Sequence, residues 1–381
     1  MRTVRRRAPA FCAAAAALVA SVACGANADT GSLPTAQLSP QLQKLVDGAR
    51  AEGSLDLIFA TAGTDDEIQP WTSGFNHYYG LNLRVTFTQN PVMPSVASTL
   101  IEELHAKRAA NTDVYFGVAI FIAELENAGV LASGGLAGLP NVAGHSEDSD
   151  TTVALSTIPT GITYNADRVK GSAIPHTFKT LLSEAPSLHI ASEPYAGTLA
   201  GLPRYWGADQ TIAYTAALSK HLTGLFGCGE ESRLVAGEFD IFAPDCGDNA
   251  ARRLQAQGAP IGEVLPTDGS FITNTYLAIP ATAPHPNAAR LWVNYLLSRQ
   301  AQDILWKSDF MDSSAISGSH IAPLIAQDER NGVVFHHSDM ASVRLDAPFQ
   351  AAQTCIQAIL NNQVNDPSCD AYRSVIAGAT G

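Results

Sequence analysis

Between Leu55 and Ala128 two hydrophobic rhythms take turns, and that alternation restricts the fold more than any other feature of the chain. Leu55-Asp56-Leu57-Ile58-Phe59-Ala60, Leu83 to Thr88 and Asp113-Val114-Tyr115-Phe116-Gly117 are short, β-branched and aromatic runs with the look of buried strands. Between them the period changes to 3.6. Asp65-Asp66-Glu67 place acids where a helix start favours them, Ile68, Trp71, Phe75 and Tyr78-Tyr79 continue the apolar face, and Gly80 closes it. A second helix is expected from about Ser95 to Ala109 and a third from Ile120 to Ala128. Strand, helix, strand, helix, strand at this spacing means parallel βαβ units. Ahead of them, Ser39-Pro40 reads as an N-cap with Pro at the first helical position. Leu42, Leu45, Val46 and Ala49 form the stripe of that helix, and Gly53 ends it.

From about Asp148 the character shifts. Val153 to Tyr164 is apolar and β-branched, broken by Pro159 and Gly161, and suits an extended hinge passing into a second lobe. A helix over Pro175 to Leu182, a strand at Leu188 to Ala191, a strand at Glu238 to Ala243 and a helix over Arg252 to Gln257 follow. Thr273 to Ile279 is a further buried strand, stopped by Pro280. After a Pro-rich turn, Ala289, Trp292, Val293, Leu296 and Leu297 fall on one helical face, and Ser298 is placed to cap a second piece carrying Ala301, Ile304 and Leu305.

Several phrases resemble one family. Ala283 to Leu305 (APHPNAARLWVNYLLSRQAQDIL) is similar to a segment of bacterial extracellular solute-binding proteins, the ligand receptors of ABC importers, in the ferric-ion, polyamine, thiamine and phosphonate branch. GITYNADRV, the Asp113 to Gly117 strand, Pro175 to Leu182 and the Gly258 to Gly269 stretch resemble further segments, so the likeness covers about residues 50 to 310. It implies an α/β, two-lobed periplasmic-binding-protein type II fold, each lobe a mixed, mostly parallel sheet flanked by helices, with hinge strands between. The corresponding division is a leader over 1–28, a tether and first helix over 29–53, a discontinuous first lobe over 54–155 and 275–381, and a second lobe over 156–274. The implied function is capture of a small polar or anionic ligand in an interlobe cleft and its delivery to a membrane permease, with no cofactor and a monomeric state. Ferric-ion transport is an alternative, and a secreted hydrolase on the same fold is another.

The N-terminus reads as an export signal. Arg2, Arg5, Arg6 and Arg7 precede an apolar run, Phe11 to Ala23, that is too short to span a bilayer stably. Ala26-Asn27-Ala28 fits a small-x-small cleavage site, whereas Ser21-Val22-Ala23-Cys24-Gly25 resembles a lipobox with Cys24 as the lipidated residue; both processing routes stay open. Either route implies a periplasmic or outer-face location, with membrane contact only through a lipid anchor. Removing 1–28 leaves 19 basic side chains against 36 acidic ones, a formal charge of −17, which disfavours nucleic acid and anionic membranes as partners. Cys228, Cys246, Cys355 and Cys369 are even in number in an oxidising compartment, and the local pairings 228–246 and 355–369 are expected. Zinc is the rival reading, weakened by spacings without a CxxC.

No GxSxG, HExxH or phosphate-loop motif occurs, and nothing in the sequence joins a nucleophile to a base, so catalysis and resident metals are not expected. Binding has better support. In open α/β sheets ligands sit beyond the carboxyl ends of strands. That rule nominates Thr61, Ala62 and Gly63, then Asn90, then Gly117, Val118 and Ala119. The hinge adds Thr160 and Tyr164, and the second lobe adds Glu193, Tyr195 and Thr198. Arg204-Tyr205-Trp206 offers a guanidinium fork beside two flat rings, either for a ligand or as a surface loop with Trp206 packed inward. Asp268 joins the set because its phrase resembles the family's cleft-facing loop. Ferric binders of the family use adjacent tyrosines where Tyr205-Trp206 stands, and the Tyr78-Tyr79 pair lies on a first-lobe helix. His336-His337, whose side chains diverge on regular backbone, reads as a surface pair.

Overall fold

The computed structural model describes residues 38–59, 65–90, 92–143, 145, 150–184, 187–344, 347–363 and 366–379. The strands are β1 (Ser54–Phe59), β2 (Arg84–Gln89), β3 (Val114–Val118), β4 (Thr152–Thr160), β5 (Ile162–Asn165), β6 (Ile190–Ser192), β7 (Leu222–Leu225), β8 (Ile241–Phe242), β9 (Ile261–Val264), β10 (Ser270–Ala278) and β11 (Phe335–Ser338). They form two sheets. The first runs β11-β10-β3-β1-β2, with β4 also on β10; the second runs β7-β6-β8-β5-β9. The expected βαβ start is present, since β1 pairs in parallel with both β2 and β3. Each sheet is mixed: β10 lies antiparallel to β3 and β4, and β5 lies antiparallel to β8 and β9.

Local chemistry explains the element ends. The Ser39 hydroxyl accepts the Leu42 amide at 3.2 Å and Pro40 opens the helix Pro40–Glu52. That helix stops because Gly53 takes a left-handed φ of 74°, which a side chain would resist. Ser298 caps the helix Arg299–Asp309 by accepting the Ala301 amide. The helix Pro286–Leu296 buries Trp292, Val293, Tyr295 and Leu296 beneath the first sheet, where Trp292 and Tyr295 meet Phe75. The preceding Pro-rich turn is pinned by His285. Its Nδ1 and its amide sit 2.8 and 2.7 Å from the two Asp113 oxygens, and its Nε2 meets the Ser54 hydroxyl at 2.8 Å. Asp113, which also accepts the Asp56 amide, and His285 thereby join β1, β3 and the turn; the Asp56 carboxylate lies 3.9 Å from His285, and the three side chains are close enough together to suit a metal.

Among the described residues, two strand-to-strand crossings link the sheets. β4 passes into β5 at Gly161, and β9 passes into β10 through residues 265–269. β4 and β10 are paired from Thr152↔Ala278 to Thr160↔Phe271, so the crossings begin as one antiparallel ribbon. At Gly161 a Cβ would stand 2.4 Å from the Val264 carbonyl oxygen, and the two crossings approach that closely only because glycine is there.

Two expectations about organisation are corrected. All of β4 belongs to the first sheet, so the passage to the second falls at Gly161 rather than at residue 156. The last two helices do not stay with the first sheet. The helices Ala347–Leu360 and Pro367–Ala379, clasped by Cys355–Cys369, pack on the second-sheet side. Ile356 and Leu360 join its main core, and Ile359, Cys355 and Tyr372 cover Ala200 and Ile212. The physical reason is an apolar helix face that finds its complement on the helix Ala208–Ser219.

Candidate functional site

A cleft of about 250 Å³ opens where the two sheets meet. The first sheet contributes Met93 and Pro94, at the start of the helix after β2, with Phe116, Val118 and Ala119 from β3 and the helix behind it. The crossing ribbon supplies Ile158 and Thr160 from β4, and Phe271, Thr273 and Thr275 from β10. From the second sheet come Glu193, Tyr195 and Thr198 after β6, Cys228, Gly229 and Glu231 after β7, and Asp245, Cys246, Asn249 and Arg253 after β8. Strand carboxyl ends therefore face the cleft from both sides, as the geometry of open α/β sheets requires.

The polar groups are tightly organised. Glu193 is buried, and its two oxygens accept the amides of Tyr195 and Thr198 at 2.9 and 3.3 Å. Burial pushes its carboxyl up to about 7 in spite of those donors. Asp245 Oδ1 accepts the amides of Gly161 and Gly247, and Oδ2 accepts the Thr163 hydroxyl. Burial pushes Asp245 up to about 6, and the Asp248 carboxylate adds to the effect. Glu231 Oε1 accepts the Gly229 amide at 3.0 Å. Arg253 Nη1 lies 2.6 Å from Asp309 Oδ1, which ties the second-sheet wall to the helix Arg299–Asp309. Cys228–Cys246, with Cα atoms 5.6 Å apart, staples the Glu231 loop to the Asp245 segment inside the cleft wall.

Of the residues nominated from sequence, Val118, Ala119, Thr160, Glu193, Tyr195 and Thr198 are brought together on this cleft. Thr61, Ala62, Gly63 and Cys24 lie outside the described residues. The others have different work. Gly117 sits in β3 opposite Tyr276 with the Tyr115 ring against its Cα. Asn90 accepts the Val92 amide in a local turn. The Tyr164 ring lies over Gly262 and packs on the second-sheet core. Asp268 caps the helix Phe178–Glu184 by accepting the amides of Phe178 and Lys179 at 2.8 and 3.1 Å.

Arg204-Tyr205-Trp206 belongs to the short helix Pro203–Trp206 and does not line the cleft, although the Tyr205 ring meets Phe271, which does. Trp206 donates its indole N–H to the Asp268 carbonyl at 2.8 Å, meets Tyr214 edge-on and carries Lys179 over its ring. Tyr205 stacks on His336 of β11, with ring centres 3.4 Å apart. His336 is therefore not a plain surface residue but one side of a contact between β11 and the helix Pro203–Trp206. Tyr78 and Tyr79 are buried in the first core, where Tyr79 accepts from the Asn294 amide.

Sequence reasoning missed Glu231, Asn249, Arg253 and Asp309, together with the apolar Met93, Phe116, Phe271 and Met311. Glu231 follows β7, a four-residue strand containing Gly224 that carries little strand signal. The nearby Cys228 was the available cue, because its disulfide draws that loop to the end of β8.

No protein-family model matches the sequence, and no characterised protein matches it. Solved structures do match the fold. The substrate-binding protein of an ABC transporter from Agrobacterium tumefaciens superposes with a TM-score of 0.68 at 16% identity, covering 84% of this chain and 97% of that one. A periplasmic thiamin-binding protein gives 0.64 at 15%, covering 81% and 96%. AfuA from Actinobacillus pleuropneumoniae, solved with fructose-6-phosphate, gives 0.62 at 18%, covering 82% and 98%. The fold is that of periplasmic substrate-binding proteins of ABC transporters: two helix-flanked sheets joined by extended crossings.

Proposed function

We propose that this protein is an exported receptor that captures a small ligand between its two sheets and presents it to the permease of an ABC importer. The observation that carries the reading is the cleft itself. Strand ends from both sheets line it, and the paired crossing strands β4 and β10 form its floor, so a bound molecule touches both halves and the ribbon on which they would close. The likeness to transport receptors supports the same reading, as do the arginine-led leader and the two disulfides that suit an oxidising compartment. In this reading Cys24 or the Ala26-Asn27-Ala28 site sets whether the mature receptor is tethered or free, and it works as a monomer. The ferric alternative gains nothing from the cleft, where Tyr195 stands without a neighbouring tyrosine.

The test is to strip the protein by unfolding and refolding, then screen metabolites of every charge class by thermal shift and calorimetry. A receptor gives one saturable site, returns its ligand chemically unchanged, and becomes more compact in small-angle scattering when loaded. Turnover of the bound compound, or no binder from a broad screen, would overturn the proposal.

A further inference from the structure

Carboxylates dominate the charge of the cleft. Glu193, Glu231, Asp245 and Asp309 all line it, and among its described lining residues Arg253 is the one arginine or lysine, already paired with Asp309. More telling is what the carboxylates hold. The loop and helix-start amides that would otherwise receive an anionic guest are donated to the protein's own acids. Those of Tyr195 and Thr198 go to Glu193, that of Gly229 goes to Glu231, and those of Gly161 and Gly247 go to Asp245. An anion entering here would meet negative charge with its usual donors occupied.

One carboxylate keeps an open side. Glu231 is only 4% exposed and lines the cavity, yet its Oε2 has no hydrogen-bond partner among the described residues, whereas Oε1 takes the Gly229 amide. A carboxylate on a residue this buried keeps only the hydration that the cleft admits, and a cationic guest would supply the missing partner. Elsewhere the cleft wall is apolar and aromatic, with Phe116, Phe121, Tyr195, Phe271 and Met311. Ring faces attract positive charge and cover flat apolar groups. A metal ion is a poor match, because hard cations want six or more oxygen ligands and the other cleft carboxylates are already engaged.

We infer that the ligand is a small organic cation, with its positively charged nitrogen on Glu231 Oε2 and its apolar body among the aromatic rings. This inference rests on the reading of the cleft as a capture site, and it sets aside the anionic half of the small polar or anionic ligand expected from sequence. The test uses four probes of matched shape on refolded full-length protein: benzyltrimethylammonium, benzylamine, benzyl alcohol and benzoate. The two cations should bind measurably by calorimetry, at least about tenfold more tightly than the alcohol, and benzoate should be weakest. Glu231→Gln should weaken the cations by about tenfold while leaving benzyl alcohol unchanged, a control that reports an intact cavity. Benzoate binding as well as benzylamine, or no binding by any of the four up to tens of millimolar, would overturn the charge assignment. A broad screen that then found an anionic ligand would leave the receptor reading standing. A broad screen with no ligand at all would remove both.

Discussion

Replacing Glu263 with Gln should make this protein more stable, and more so at neutral than at acid pH. Glu263 lies on β9 with an enclosed Oε1 that has no partner, and Asp248 Oδ1 is in the same condition. Burial raises the Glu263 carboxyl well above its ordinary value, and the nearby charges of Asp248, Asp245 and Asp328 add to the rise against the single opposing Arg252. Asp245 and Asp248 are pushed up to about 6 by burial, from 3.8, and the Arg252 contact at 2.8 Å only partly offsets this for Asp248. Each unit of such a rise is about 1.4 kcal/mol of preference for the protonated form. The folded chain therefore binds these protons more tightly than the unfolded one does. The associated stability is fully present below the unfolded values near 4 and is lost as pH rises through about 6.

An isosteric amide removes one negative charge from the cluster and relieves its neighbours. The expected gain is about 1–3 kcal/mol at pH 7.5, shrinking to less than about 1 kcal/mol at pH 5, because the raised carboxyl costs the folded chain less as pH falls towards the ordinary carboxylate range. Urea unfolding followed by tryptophan fluorescence measures it, with the slope on denaturant expected to stay constant. A variant that is destabilised at pH 7.5, or shifted equally at both pH values, would refute the account of a strained, charge-crowded cluster.

Other perturbations read different parts of the structure. Removing the cleft staple as Cys228→Ser with Cys246→Ser should cost about 3 kcal/mol from the 18-residue loop, seen as a lower urea midpoint, and should weaken ligand binding because the Glu231 loop is freed. Gly161→Ala should lose about 1–3 kcal/mol in the same assay, since its Cβ would collide with the Val264 carbonyl and part β5 from β9. Tyr205→Ala should forfeit about 0.5–1.5 kcal/mol of stacking on His336 but leave ligand affinity within twofold; a tenfold loss would put the ring back in the binding site.

How far the sequence reveals this molecule depends on whether a residue's task is local. The Ser39 cap, the Gly53 stop and the Ser298 cap follow from backbone chemistry within four residues, and all three are where the pattern puts them. The parallel β1-β2-β3 start follows from periodicity alone. Side-chain tasks settled by distant partners are not legible in this way. Arg204-Tyr205-Trp206 has the chemistry of a ligand contact, but the indole N–H is taken by a carbonyl 62 residues away. Asp268 looks equally available, and its carboxylate is spent on two amides about 90 residues upstream. The amphipathic tail helices announce an apolar face without saying which sheet will cover it. Glu231 shows the converse, an unremarkable loop acid brought to the cleft by a disulfide whose pairing is readable but whose consequence is not.

Asp245 shows why the crossing and the binding wall have to be considered together. Its Oδ1 holds the Gly161 amide at the point where the chain leaves one sheet for the other, and its Oδ2 holds Thr163 on the far side of that step. The next residue, Cys246, is bonded to Cys228, which lies three residues before Glu231. One side chain and one disulfide thus connect the bend of the ribbon to the acid with the open oxygen. A change of angle at Gly161 that broke the Asp245 contacts would strand a buried carboxylate, at a cost of several kcal/mol. In the proposed receptor, the least costly closure therefore keeps Gly161, Asp245, Cys246 and the Glu231 loop as one unit and places the bending outside it. The candidate locations are β4 before Thr160 and the 265–269 segment that returns the chain to β10.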